Sequence, residues 1–129
     1  MMRHRVNGAT ALTVALSGAT AVILGAFGAH ALRGLVDAQA MQPWHTAVQY
    51  HFWHTLALLA AALGLPAGGG RKTAIVSFAV GIVLFCGSLY VLTLGAPRWV
   101  GIITPVGGIA FIAGWLAVGW SLARGSSGD

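Results

Sequence analysis

The chain has 129 residues, of which 57% are hydrophobic and only 7% charged, and its net charge is +5. A soluble domain carries about 25% charged residues, so this composition cannot cover a surface that faces water. The seven basic residues stand singly or in pairs between apolar runs, which excludes the basic patch that nucleic acid requires.

Four windows lack Asp, Glu, Lys and Arg: Gly8–Leu32, Trp44–Leu65, Thr73–Leu94 and Gly101–Ala123. Each reaches the roughly 20 residues that a helix needs to cross the hydrocarbon. A helix satisfies its own backbone there, whereas a β-barrel would show alternating segments of about 10 residues. The spacing therefore predicts one membrane domain over residues 1–129. It is an all-α integral membrane four-helix bundle with up-down topology, because the connections are too short for anything but antiparallel neighbours.

The first window follows Arg3 and Arg5 and ends near Ala29-His30-Ala31, which resembles a signal-peptide cleavage site. Ala9–Ala29 exceeds the usual apolar core of a signal, so a retained helix is expected. Ala9, Thr13, Ser17, Ala21, Gly25 and Ala29 recur every four residues. This predicts a small-residue groove for close helix approach, the main drive for association in lipid.

The second window opens at Gln42-Pro43, where proline suits a first turn. It closes at Leu65-Pro66-Ala67-Gly68-Gly69-Gly70, a breaker followed by a flexible turn. The third window carries the lone Cys86, which reads as a small buried hydrophobe. It ends at Gly95-Ala96-Pro97. The fourth contains Thr104-Pro105, where proline could break the helix, and the spacings Ala110/Gly114 and Ala113/Ala117/Ser121. Gly125-Ser126-Ser127-Gly128 reads as a frayed tail.

Arg3, Arg5, Arg71, Lys72 and Arg124 fall on one side of this topology, and Arg33 and Arg98 on the other. Basic residues mark the cytoplasmic side, so both termini are expected there. Arg33 and Asp37 are four apart and could pair if helical, which contributes little at an exposed site.

On this topology the polar side chains gather in the outer half: His30, Gln49, Tyr50, His51, His54, Ser88, Tyr90 and Thr104. His51 and His54 share a helix face, as do Tyr50 and His54. Intramembrane ionisable residues often mark function. Neutral His, Gln, Tyr and Thr also serve as hydrogen-bonding glue between helices. Three sharper readings stay open. One is a haem or metal site using His30 with His51 or His54. Another is a proton or solute path, since histidine titrates near neutral pH. The last is a quinone or lipid-headgroup surface built on His30, Arg33 and the tryptophans. No metal motif, nucleophile motif or intramembrane acid is visible, so no catalytic residue and no resident cofactor are assigned.

Several blocks carry a resemblance. They are Gly25-Ala26-Phe27-Gly28-Ala29-His30-Ala31-Leu32, Trp44-His45-Thr46-Ala47-Val48-Gln49-Tyr50, His54-Thr55-Leu56-Ala57, Gly87-Ser88-Leu89-Tyr90, Ile103-Thr104-Pro105-Val106-Gly107-Gly108 and Gly114-Trp115-Leu116. Together they resemble the YgdD-like family of small membrane proteins, the domain of unknown function numbered 423, to which transmembrane protein 256 is similar. Cys86 stands where many members have a serine. The resemblance implies four spans and a bacterial inner-membrane location but no activity. Gly25–Gly28 and Gly107-Gly108 would allow tight crossings beside His30 and Thr104. The expected role is a non-catalytic accessory, assembly or scaffold subunit, packed against other membrane subunits, itself or the bilayer. A small proton, ion or solute transporter is the alternative, and a haem-, metal- or quinone-binding subunit the third reading.

Overall fold

The structure is a computed structural model and describes residues 6–125. Arg3, Arg5 and the expected tail Ser126–Gly128 lie outside the described residues. Among the described residues there is no strand, and the chain folds into four helices. We label them α1 (Gly8–Leu32), α2 (Gln42–Gly64), α3 (Gly69–Thr93) and α4 (Arg98–Gly125).

Each boundary has a local cause. The Asn7 side chain caps α1, accepting a hydrogen bond from the Thr10 N–H at 2.7 Å. The last turn of α1, Gly28–Leu32, is π-helical. Asp37 then caps a turn, its Oδ1 accepting from the Ala40 N–H at 2.8 Å. The segment is not helical past Leu32, and among the described residues no ion pair joins Asp37 to Arg33, so the pairing that a helix would allow does not form. Pro43 sits in the first turn of α2, where its missing N–H has no partner to lose.

Gly68 turns the chain between α2 and α3 with a φ of +149°, and Gly95 does so after α3 with a φ of +103°. Both lie in the region that only glycine adopts readily. Gly69 and Gly70, expected in that turn, already belong to α3. Within α3, Ile82–Cys86 forms a second π-helical turn. A 3₁₀ stretch, Arg98–Ile102, leads into the α-helical part of α4, which begins at Ile103. Pro105 therefore falls in a first α-helical turn and does not break α4.

Between α1 and α2, Gly28 faces Trp44, Gly25 faces Val48, and Ser17 meets Thr55. Between α2 and α3, Trp44 contacts Tyr90, Tyr50 contacts Phe85, and His54 contacts Phe78. Between α3 and α4, Gly70 lies on Ser121, Gly81 on Phe111, and Gly107 on Phe85.

Helices α1, α3 and α4 are long and apolar enough to cross a membrane, and α2 falls short on polarity. The reason is visible in its side chains. Gln42, His45, Thr46, Gln49, His51, His54 and Thr55 share its 23 residues. Yet α2 is the inner helix. Trp44, Ala47, His51, His54, Thr55 and Leu58 are all buried on it, and it touches both α1 and α3. Outside, α1, α3 and α4 leave Leu16, Ile23, Val83, Ile109 and Leu116 exposed. Apolar side chains of these helices thus face outward, while His51, His54 and Thr55 of α2 turn inward, the arrangement that hydrocarbon favours.

Candidate functional site

The inward polar groups form three layers along the first half of α2. Nearest the loop at residues 33–41, the Trp44 Nε1–H donates to the Leu24 carbonyl at 3.0 Å, and its ring lies 4.7 Å from that of Tyr90. Two turns deeper, His51 Nδ1 hydrogen-bonds the Tyr90 hydroxyl at 2.9 Å. His51 is only 3% exposed.

Deeper still, His54 holds both ring nitrogens in use. The Trp115 Nε1–H donates to His54 Nε2 at 3.1 Å, so Nε2 is the acceptor. Nδ1 therefore carries the hydrogen and donates it to the Tyr50 carbonyl at 2.8 Å. Phe111 stacks on the imidazole with ring centroids 3.6 Å apart, and Phe78 packs tilted against it at 5.7 Å. The neutral ring is thus fixed in one tautomer.

Beside it Thr55 donates to the His51 carbonyl at 2.7 Å, which uses its only hydrogen. Ser17 of α1 must then be the donor in the 2.5 Å bond to Thr55. The same logic orders the α3–α4 contact. Ser88 donates to the Phe85 carbonyl at 2.9 Å, so Thr104 donates to Ser88 at 2.5 Å. Among the described residues, no buried side-chain nitrogen or oxygen lacks a partner.

The predicted polar residues do not converge on one point. Structure pairs His51 with Tyr90, His54 with the Tyr50 backbone, and Ser88 with Thr104. His30 and Gln49 are exposed and join none of these layers. His30 therefore does not face His51 or His54. His54 has no lone pair left for a metal, because Trp115 occupies it. Among the described residues no group of three His, Cys, Asp or Glu side chains converges. Sequence reasoning missed Trp44, Phe111 and Trp115 as partners. The four-residue spacing of Phe111 and Trp115 was the available signal, since it puts both on one face of α4.

The packing residues divide in the same way. Ser17 bonds Thr55, Ala21 is fully buried, and a Cβ on Gly25 would meet Val48 at 3.4 Å. Ala9 and Ala29, the ends of the four-residue row, are exposed. A row with period four rotates about 40° per step on a helix of 3.6 residues per turn. It therefore leaves the contact face, which continues through Thr10, Ala21, Gly28 and Leu32. A Cβ on Gly28 would overlap the Trp44 indole, and one on Gly81 would overlap the Phe111 ring. On α4, a Cβ on Gly114 would meet the Phe78 ring at 2.6 Å, and one on Gly107 would run into the Phe85 backbone. Gly108 keeps ordinary clearance, 3.9 Å from Phe85.

Several grooves open on the surface of the described residues, three of them beside these layers or the loop at residues 33–41. One of about 780 Å³ runs between α2 and α4, walled by Tyr50, Trp53, Phe85 and Phe111. Another of about 430 Å³ lies between α1 and α3, with Ser17, His51 and Tyr90 in its lining. A third, of about 500 Å³, sits at the end that carries the loop at residues 33–41.

Apolar helices that turn outward, and polar groups that pair with each other inside, define a multi-pass helical membrane protein. The chain belongs to the family described as protein of unknown function DUF423, whose model matches residues 24–108. It is 45% identical over 107 residues to the UPF0382 membrane protein YwdK of Bacillus subtilis (strain 168), covering 81% of this chain and 87% of that one. It is 43% identical over 114 residues to a UPF0382 membrane protein of Haemophilus influenzae, covering 88% of this chain and 89% of that one. The UPF0382 inner membrane protein YgdD of Escherichia coli (strain K12) is 43% identical over 107 residues, covering 78% of this chain and 79% of that one. The protein is accordingly a membrane protein of the bacterial inner membrane. No solved structure matches it.

Proposed function

We propose that this protein is a non-catalytic accessory or scaffold subunit of a membrane complex, or a self-assembling module. One observation carries this reading. The buried polar side chains of α2 are committed to hydrogen bonds with Leu24, Ser17, Tyr90 and Trp115, so they act as glue between helices. Meanwhile α1 packs chiefly on α2 and leaves Leu12, Leu16, Val22 and Ile23 facing outward. That face is free for lipid or a neighbouring subunit.

In this reading all four helices cross the bilayer as an up-down bundle. The 23 residues of α2 give it a length of about 34 Å, enough for a hydrocarbon core of about 30 Å. Arg71 and Lys72 share an end with Arg124, and Arg33 and Arg98 lie toward the other. The basic excess supports cytoplasmic termini. Gentle solubilisation followed by native mass measurement tests the role. A complex larger than one chain is expected, and a lone monomer with no co-purifying subunit overturns it.

The groove that reaches His51 and Tyr90 favours a second reading, a small path for protons or solutes. Flux into liposomes that His51→Ala abolishes would establish it in place of the first.

A further inference from the structure

The groove at the end of α1 has a chemistry that the packing role does not use. Arg33 follows Leu32, the last residue of an apolar helix, so it stands where hydrocarbon would give way to headgroups. Gln42 and His45, on the first turn of α2, line the same groove of about 500 Å³. All three side chains are exposed, and among the described residues none has a hydrogen-bond or ionic partner. The nearby carboxylate does not neutralise Arg33, since Asp37 is turned to the Ala40 N–H. The rest of the lining includes Gly28, Val36 and Met41, which offer apolar contact.

We propose that this groove holds the phosphate of an anionic phospholipid. The guanidinium fork matches the paired oxygens of a phosphodiester, and a phosphate accepts from every donor that the groove presents. The Gln42 amide and the His45 imidazole supply further N–H groups. The apolar lining suits a ligand that carries glycerol and acyl chains behind its phosphate, which a free anion lacks. A net positive groove prefers a headgroup that keeps a full negative charge over a zwitterionic one. The proposal rests on the four-span reading only in that it needs the 33–41 loop at a membrane face.

The test uses the full chain, purified in mild detergent and delipidated. Phosphatidylglycerol, phosphatidylcholine with the same chains, and inorganic phosphate are added separately, and retention is read by native mass spectrometry. Wild type is expected to retain phosphatidylglycerol. Arg33→Gln should lower its occupancy about tenfold, as loss of one bidentate charged contact implies. Arg98→Gln, at the same end but outside the groove, should leave it within about twofold. Should Arg33→Gln fail to fold, Gln42→Ala and His45→Ala serve instead. Equal retention by wild type and the groove variants overturns the proposal. Equal retention of phosphatidylcholine overturns the anionic preference, and displacement by inorganic phosphate reassigns the groove to free anions. Labelling of Gly34→Cys from outside the cell tests the membrane placement separately, since Cys86 is buried and silent.

Discussion

Gly107 and Gly108 are adjacent in the chain, and the structure gives them opposite tolerance for a methyl group. A Cβ on Gly107 would lie 2.7 Å from the Phe85 Cα and still nearer its amide nitrogen. Ordinary contact begins at 3.4 Å. The α3 backbone must therefore retreat by roughly 0.7 Å or more, because backbone cannot rotate aside as a side chain can. The α3–α4 contact is the broadest interface in the molecule, so the retreat also loosens Gly81 on Phe111 and Gly114 on Phe78. Overpacking of this kind costs about 1–3 kcal/mol, and the backbone obstacle places Gly107→Ala near the upper end. Gly108→Ala meets Phe85 at 3.9 Å and gains helix propensity, so its effect should stay within about 0.5 kcal/mol. Reversible unfolding in mixed micelles reads both. At about 2.5 kcal/mol the unfolding constant of Gly107→Ala rises roughly seventyfold. Equal stability of the two variants would refute the interface geometry.

The α1–α2 crossing supplies a second matched pair: Gly28→Ala displaces the Trp44 indole and breaks its bond to Leu24, whereas Gly25→Ala meets Val48 at an ordinary 3.4 Å. Thermal stability in detergent should fall for the first and hold for the second. Trp115→Phe leaves His54 Nε2 without its donor, at a cost of about 1 kcal/mol. Adding His54→Phe removes the stranded acceptor and should return most of that stability, which a double-mutant cycle measures. Cys86 is 0% exposed, so the folded protein should resist N-ethylmaleimide and react once SDS unfolds it. Rapid labelling in mild detergent would place Cys86 outside the core.

The sequence by itself determined the solvent and the helices. Charge-free runs, with Pro43, Gly68 and Gly95 between them, leave few alternatives when every backbone group must be satisfied locally. It also marked His51, His54, Tyr90, Ser88 and Thr104 as polar groups in an apolar setting. Composition could not say which of them meet. His54 with Trp115 and Ser17 with Thr55 are 61 and 38 residues apart, and only the helix crossings bring them within bonding distance. The four-residue row on α1 drifts off its partner because a real helix turns every 3.6 residues, so Gly28 closes the contact that Ala29 was expected to make. The π-helical turns at Gly28–Leu32 and Ile82–Cys86 were equally invisible, since a one-residue widening reflects packing between helices and leaves no local composition signal. What each histidine ring meets was likewise decided by its neighbours. Tertiary contact consumed the lone pair of His54, while the surface groups Arg33, Gln42 and His45 kept theirs or their N–H groups unspent.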